Sequence, residues 1–301
     1  MTTQTQAITT GEYLRTRAPL TCALLTSLLF LAACGGGEKK TANDDDIGTG
    51  PRAPTPDDPP SVVIGGLLWD NHWAVNATES LTTNPAWVLR KADPLSGAQN
   101  NRTGNDTWRC KECHGWDYKG VEGAYGPGNS HYTGTKGLVD VIPQRSRKQI
   151  ESYLKNGVFD PTVGAVVHNF GTGEPNLSDN QIRSLVMFLF DGGMIDTSQY
   201  IFEDTFNGAA RGDATLGQSL YESGNGVNSC ASSSCHGLDG RTILFDGTET
   251  LGSLAKDNPW EVLHKARFGQ PGTPEMIAVR TWGGTDQDAS NILAYIQTML
   301  Q

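Results

Sequence analysis

Two cysteine clusters, each closed by Cys-His-Gly, constrain this 301-residue chain more than any other feature. The first reads CKECH at residues 110–114, and the second reads CASSSCH at residues 230–236. The tails that follow, HGWD and HGLD, agree at three positions of four. This pattern favours the interpretation that the chain contains the same kind of site twice, with a wider cysteine spacing in the second.

Disulfides are the simplest alternative, because an exported chain meets an oxidising compartment. A disulfide at each cluster would explain the cysteines, but not the His-Gly that follows each pair. A zinc ion needs four ligands, and two distant clusters supply them only if they meet in space. Both alternatives stay open at this point.

The first cluster matches C-x-x-C-H, the attachment signature of haem c. Two thiols bond covalently to the porphyrin, and the adjacent imidazole is presented to the iron. Cys110, Cys113 and His114 fit this signature without adjustment. The sequence therefore predicts a covalent haem here, with His114 as an iron ligand.

The second cluster is the same signature widened by two residues. Between Cys230 and Cys235 lie four small residues, ASSS, which can loop out while Cys235 and His236 keep the local geometry of the first cluster. Cys230 and Cys235 are therefore predicted to hold a second haem c, with His236 as its iron ligand.

The first 33 residues are predicted to be a signal peptide. Arg15 and Arg17 precede an apolar run at residues 18–33. As a helix the run would be ~24 Å long, shorter than the ~30 Å hydrocarbon core, so a spanning helix is the second choice. The run ends in LAAC, which resembles the lipobox of bacterial lipoproteins, so Cys34 is the predicted lipid anchor. An ordinary signal peptide with a chance cysteine is the alternative.

Residues 34–60 are rich in Gly, Asp and Pro and are predicted to be a disordered tether. The sequence thus predicts an exported protein, lipid-anchored to a membrane, with the outer membrane or the periplasmic side favoured. The formal charge of -10 makes nucleic acid an unsuitable partner. It favours basic partner proteins, because opposite charges steer encounter.

Each cluster is followed by a capped, amphipathic terminal helix. Ser178 with Gln181 forms a capping box before the first, and Thr285 with Asp288 occupies the same positions before the second. Further helices are predicted to begin after Ser146 and Asn258. We also expect a helix around LLWDNHWAV, at residues 67–75. The chain therefore reads as an internal repeat of helices around two clusters.

The segments RCKECHGWDYKG, AYGPGNSHYTG and DNPWEVLHKARFGQPGTPEM resemble bacterial dihaem cytochromes with tandem class I cytochrome c domains. The resemblance covers residues 61–301. It implies an all-α fold in which residues 61–196 and 197–301 each wrap around one haem c. It further implies electron transfer between redox partner proteins.

In that family the sixth iron ligand comes from the loop before the terminal helix. Met276 lies nine residues before Thr285, and His168 lies ten before Ser178. The resemblance therefore implies His114/His168 for the first haem and His236/Met276 for the second. His131 is the main rival of His168.

The remaining histidines and methionines are expected to be structural. They are His72, His264, Met187, Met194 and Met299. A bis-His haem has a lower potential than a His/Met haem, so electrons are expected to pass from the first half to the second. The alternatives are a dihaem enzyme, peroxidase-like or a sulfur-compound dehydrogenase, and a subunit of a conductive assembly.

Overall fold

The computed structural model describes residues 54–76, 81–161, 164–172, 176–203, 208–224, 226, 229–273 and 276–300. The predicted signal peptide, Cys34 and most of the tether lie outside the described residues. The described residues all belong to one compact unit, Gly48–Gln301. The boundary between residues 196 and 197 stays a prediction.

Within these ranges the chain is mostly helical. The helices are α1 (Val62–Asn76), α2 (Cys110–His114), α3 (Arg147–Asn156), α4 (Asp179–Phe190), α5 (Ala214–Ser223), α6 (Leu251–Asp257), α7 (Pro259–Phe268) and α8 (Asp286–Ile296). Short 3₁₀ turns occupy Pro85–Leu89, Gly104–Trp108, Ile142–Gln144, Thr197–Gln199 and Val279–Trp282. The described part of the chain contains no helix long and apolar enough to cross a membrane.

One antiparallel hairpin departs from the all-α expectation. It pairs β1 (Val158–Asp160) with β2 (Ala165–Val167), in the register Val158 opposite Val167. Its residues are mainly β-branched or aromatic, and Gly157 and Gly164, both at positive φ, directly precede β1 and β2. Such residues favour a strand over a helix in so short a segment.

The predicted helix starts are confirmed where a polar cap marks them. Ser146, Ser178 and Thr285 each complete a capping box, and the Asn258 side chain accepts the Glu261 amide. The repeat predicted a helix before the second cluster without giving its bounds, and α5 lies there; α6 was not predicted. Both helices begin at the caps Asp213 and Thr250, which accept amide hydrogens of their first turns.

In each half of the chain, the first helix crosses the terminal helix at a glycine. A Cβ on Gly65 of α1 would lie 2.1 Å from the Ser184 carbonyl oxygen of α4. A Cβ on Gly217 of α5 would lie 1.8 Å from the Asn291 carbonyl oxygen of α8. Only glycine permits backbones to approach so closely, so one packing device occurs in both halves.

The two halves share one apolar core. It contains Trp69, Trp116 and Tyr118 from the first half and Leu263 and Phe268 from the second. Helix α1 packs on α7 as well as on α4. The half-buried cysteines Cys110 and Cys230 both pack against this cluster, so both motifs face the same core.

Candidate functional site

The first cluster forms a single helical turn. Helix α2 begins at Cys110, ends at His114 and is closed by Gly115 at φ 77°. Cys113 and His114 lie three and four residues after Cys110, a spacing that brings side chains to one face of a helix. Both thiols are free and half-buried. The turn therefore presents two thiols and an imidazole to the same side.

The His114 ring is oriented by a backbone carbonyl. Its Nδ1 donates to the Lys136 carbonyl oxygen at 3.1 Å, which leaves Nε2 as the free ring nitrogen. Burial first, and nearby His168 second, lower the pKa of His114 to about 4, while the Lys136 carbonyl opposes the shift. The ring is therefore neutral, the form that binds metals, and a fixed Nδ1–H is the usual support of a metal-binding histidine.

The rings of His168 and His114 are close neighbours. Their ring centroids are 6.3 Å apart, with the ring planes 29° from parallel. Imidazole nitrogens bind metals at about 2 Å, so two rings sharing one ion have centroids roughly 6 Å apart. His168 follows β2 directly and has φ 58°, in the left-handed region. Such strain in a non-glycine residue is characteristic of functional positions.

The surroundings of His168 combine burial with accessibility. Burial lowers the pKa of His168, yet the residue keeps an exposed surface. The reason is that it lines an open cleft of about 230 Å³. The other lining residues are Thr82, Asn84, Pro85, Trp108, Val166, Val167 and Asn169.

His131, the rival of His168, is engaged elsewhere. Its Nδ1 lies 2.9 Å from Oε1 of Glu112. Its ring stacks on Tyr125, with centroids 4.8 Å apart and planes 15° from parallel. His131 is therefore hydrogen-bonded to the fully buried carboxylate of Glu112. This geometry supports His168 as the partner of His114.

Several buried polar atoms near the core lack a hydrogen-bond partner among the described residues. They are Nε1 of Trp69, Trp73, Trp87, Trp116 and Trp260, and the hydroxyl of Tyr125. An unpaired buried donor costs about 1–3 kcal/mol, so acceptors are expected beside these groups. Trp69 lies 6.0 Å from the His114 ring, centroid to centroid, and a haem would bring acidic substituents that can accept a hydrogen bond. The residues around His114 and His168 therefore fit a haem.

The second cluster does not form the helical turn of the first, and whether Cys235 and His236 keep the local geometry of Cys113 and His114 stays a prediction. Residues 230–236 form turns, in which the Cys235 amide donates to the Ser232 carbonyl at 2.9 Å. The His236 amide donates to the Cys230 carbonyl at 3.1 Å. The extra residues do loop out, and this bond closes the loop by bringing Cys230 beside His236.

The His236 ring is less constrained than the His114 ring. Its Nδ1 is buried without a partner among the described residues. The ring lies against Phe245, with centroids 6.4 Å apart, and burial lowers its pKa. A neutral imidazole is therefore present here too, without a carbonyl to orient it.

Met276 lies on the loop after α7 and is half-buried. Its amide donates to the Thr273 carbonyl at 3.1 Å, and residues 274–275 are outside the described part. A Cβ on Gly269 would lie 3.2 Å from the Met276 carbonyl oxygen, so the loop packs tightly on the end of α7. The pairing of Met276 with His236 stays a prediction.

The four described cysteines are free thiols, and none is joined to another. Burial raises the pKa of Cys110 and Cys113 to about 12 and of Cys230 to about 11. In the described residues no three or more His, Cys, Asp or Glu side chains come together to hold a metal ion. A haem needs only axial ligands from the chain, because its porphyrin nitrogens supply the other four.

Some contacts of the site had no signal in the sequence. The Lys136 carbonyl is a backbone group, which no side-chain motif reveals. Tyr118 is hydrogen-bonded to His264, 146 residues later. Arg109, beside the first cluster, is ion-paired with buried Asp70 of α1. The last two tie the surroundings of the first cluster to α7 and α1.

No protein-family model matches the chain, and no curated protein and no solved structure matches it either. The likeness to tandem class I cytochrome c domains therefore rests on the residues quoted above.

Proposed function

We propose that the chain is a dihaem c-type cytochrome that transfers electrons. One haem c is bound at residues 110–114 and the other at residues 230–236. The observation that carries the proposal is the pair of rings, His114 and His168, whose centroids are 6.3 Å apart. A helical turn with two half-buried thiols ends at one of those rings.

A bound haem supplies a reversible one-electron change at its iron, and the chain sets its ligands and surroundings. In this proposal His114 and His168 would hold one haem iron, and His236 and Met276 would hold the other. The buried ring of Trp69 shields the His114 side from water, which is one way a protein tunes a potential.

Ligand type gives the electron flow a direction. Bis-His ligation holds the first centre at a lower potential than His/Met ligation holds the second. Electrons then run downhill from the first half to the second. The donor and acceptor are redox proteins, and a basic docking face suits a chain of formal charge -10.

The location of the protein is part of the proposal. Cys34 carries a lipid after signal cleavage, and residues 35–60 hold the folded part off the membrane. This predicts that the exported protein sediments with membranes, whereas a Cys34→Ser variant is released in soluble form. A Cys34→Ser variant that stays membrane-bound would refute the lipid anchor.

The first test counts haems and identifies their ligands in the exported, full-length protein. Intact mass is expected to show two covalent haems per chain, and the oxidised EPR spectrum two low-spin irons. His168→Ala is expected to convert one of them to high spin. His131→Ala is the matched control and should leave both low-spin signals in place. A chain without covalent haem would refute the function.

A dihaem oxidoreductase, peroxidase-like or acting on sulfur compounds, is the second candidate. The exposed cleft of about 230 Å³ at His168 favours it, because a small substrate can reach that ligand. The strained φ of 58° also favours a ligand that can leave the iron. Cyanide binding to the oxidised wild type, together with hydrogen peroxide turnover, would support this candidate over the carrier.

A further inference from the structure

Tyr118 is a fully buried tyrosine at the junction of the two halves. Its side chain is 1 % exposed, and its backbone adopts φ 65°, in the strained left-handed region. Its hydroxyl lies 3.3 Å from Nδ1 of His264 on α7. Nη1 of Arg267 donates to the same hydroxyl at 3.3 Å.

The hydrogen bonds fix where the protons are. Nε2 of His264 lies 3.0 Å from the Gly66 carbonyl oxygen, which can only accept, so Nε2 carries the hydrogen. In a neutral imidazole the other nitrogen is then an acceptor. The Tyr118 hydroxyl therefore donates to Nδ1 of His264, and a phenol proton has a base at the end of its hydrogen bond.

Two other buried tyrosines, Tyr221 and Tyr125, have no imidazole in the described part of the chain as acceptor of the hydroxyl hydrogen. The Tyr221 hydroxyl donates to the Gly237 carbonyl oxygen at 2.7 Å, and a carbonyl is no base for a phenol proton. The Tyr125 hydroxyl is buried without a partner among the described residues. Neither has an imidazole as proton acceptor, so the two are matched controls for Tyr118.

Tyr118 is also in contact with the first site through one ring. Trp69 lies 5.4 Å from Tyr118 and 6.0 Å from His114, measured between ring centroids. Phe188 packs on both Trp69 and Tyr118. The path from the His114 ligand to the phenol is therefore continuous, buried aromatic contact.

The charges that face His264 and Tyr118 belong to two clusters of ion pairs. Arg267 disfavours a second positive charge on His264, but it is ion-paired with Asp286 at 2.8 Å. Asp70 favours the charged imidazole, and Lys265, 3.6 Å from Asp70, opposes it. Asp70 is shared with Arg109 and Asp286 with Arg280, so these ion pairs do not favour a charged His264. Proton transfer to His264 is driven instead by the oxidation of Tyr118, because a phenol that has lost an electron is a far stronger acid than an imidazolium.

We propose that Tyr118 and His264 form a redox-active pair, in which Tyr118 donates an electron and passes its proton to His264. The inference rests on the second candidate of the proposed function, the peroxidase-like dihaem protein, because the oxidant is hydrogen peroxide, which reaches the haem held at the first site only if His168 gives way. Hydrogen peroxide would be reduced to two molecules of water by two electrons and two protons from solvent; the haem held by residues 110–114 would supply one electron and Tyr118 the other, and the Tyr118 O–H bond breaks. The proton bonds to Nδ1 of His264, which leaves a neutral tyrosyl radical and an imidazolium.

The test is freeze-quench EPR of the haem-loaded, full-length protein after mixing with hydrogen peroxide. Wild type labelled with ring-deuterated tyrosine is expected to show a radical signal narrower than that of unlabelled protein. Tyr118→Phe should lower the radical yield at least fivefold, and Tyr125→Phe and Tyr221→Phe should leave it unchanged. Unchanged optical spectra and melting temperatures would show that the variants fold and bind haem.

His264→Gln separates proton acceptance from packing. A glutamine can still accept the Tyr118 hydroxyl hydrogen and donate to the Gly66 carbonyl, but it cannot take up a proton. The radical yield is expected to fall severalfold, as in Tyr118→Phe. An undiminished radical in either variant, or no tyrosine radical in haem-loaded wild type, would overturn the inference.

Protein without haem would refute the proposed function by its optical spectrum alone. The same variants would then be oxidised by photogenerated ruthenium(III) tris-bipyridine, and the Tyr118-dependent yield would still decide the inference.

Discussion

The two halves of the chain repeat one scaffold but present their cysteine clusters differently. Gly65 and Gly217 occupy equivalent helix crossings, whereas residues 110–114 form a helical turn and residues 230–236 do not. The spacing explains why. At 3.6 residues per turn, cysteines three residues apart lie about 60° apart around a helix, and cysteines five apart lie about 140° apart. The second pair can reach one ligand only if the helix is abandoned.

The histidines of the two clusters, His114 and His236, also differ in how their rings are held. His114 has its Nδ1 on the Lys136 carbonyl, and Nδ1 of His236 has no partner among the described residues. A hydrogen bond at Nδ1 fixes the ring and makes the other nitrogen a better metal ligand. The His114 ring is therefore held by the chain itself, whereas no hydrogen bond among the described residues fixes Nδ1 of His236.

The largest expected effect is the loss of one haem from either cluster. Replacing Cys110 and Cys113 by Ala, or Cys230 and Cys235 by Ala, is expected to lower covalent haem from two per chain to one. Intact mass spectrometry checks this. Retention of two covalent haems after the second double substitution would show that the wider cluster is not an attachment site.

Deleting Ser232 and Ser233 sharpens the same comparison. The deletion leaves C-x-x-C-H, so the second cluster is expected to keep its haem and to form a helical turn like residues 110–114. Loss of haem from this variant alone would mean that the loop of small residues is required.

The glycine crossings give the next largest effect. Gly65→Ala and Gly217→Ala place a Cβ 2.1 Å and 1.8 Å from a carbonyl oxygen of the partner helix. Each is expected to lower the free energy of unfolding by about 2–3 kcal/mol, because the helices must move apart. Urea unfolding of the full chain measures it.

Exposed Leu216, next to Gly217, provides the control for these crossings. Leu216→Ala should stay within about 0.5 kcal/mol of wild type. Glycine variants as stable as this control would contradict the close crossing.

What could be predicted from the sequence were the features with local signals. The capping boxes at Ser178 and Thr285 need residues only three positions apart, and both helices begin where expected. The resemblance implied His168 as a ligand, and its ring centroid lies 6.3 Å from that of His114, but its role as a ligand stays a prediction. The spacing of the capping boxes was informative because a capping box has a fixed local geometry.

What could not be predicted depends on contacts between distant segments. The hairpin β1–β2 is only three residues per strand, too short for a periodic signal. Tyr118 meets His264 only because α7 packs on α1, which no local pattern specifies. The similarity of the two clusters in sequence also did not indicate that residues 230–236 lack the helical turn that residues 110–114 form.

The loss of stability at acidic pH is expected to differ less between the two halves than the effects above. Burial, with Arg109 adding, lowers the pKa of His72 in the first half to about 4. Burial lowers that of His264 in the second half to about 3, against an ordinary value of 6.5. Below pH 6.5 the unfolded chain takes up protons that the folded chain refuses, so stability is lost as pH falls. Each histidine contributes a slope of up to about 1.4 kcal/mol per pH unit between pH 6.5 and 5.

Urea unfolding at several pH values in that window measures the slope. His72→Gln and His264→Gln should each reduce the slope of unfolding free energy against pH by the contribution of one proton. The two reductions should be alike. A variant whose slope equals that of wild type would show that its histidine is protonated in the folded state.

The smallest expected effect compares the two terminal-helix caps. Ser178 accepts the Gln181 amide at 3.2 Å, and Thr285 accepts the Asp288 amide at 3.2 Å, so Ala at either position should cost about 1 kcal/mol. Ser178 has a second role, because its hydroxyl donates to the Pro56 carbonyl at 2.7 Å. Ser178→Ala should therefore cost more than Thr285→Ala in urea unfolding. Equal losses would mean that the Pro56 contact adds no stability, and that the segment before α1 is not held to α4 through this bond.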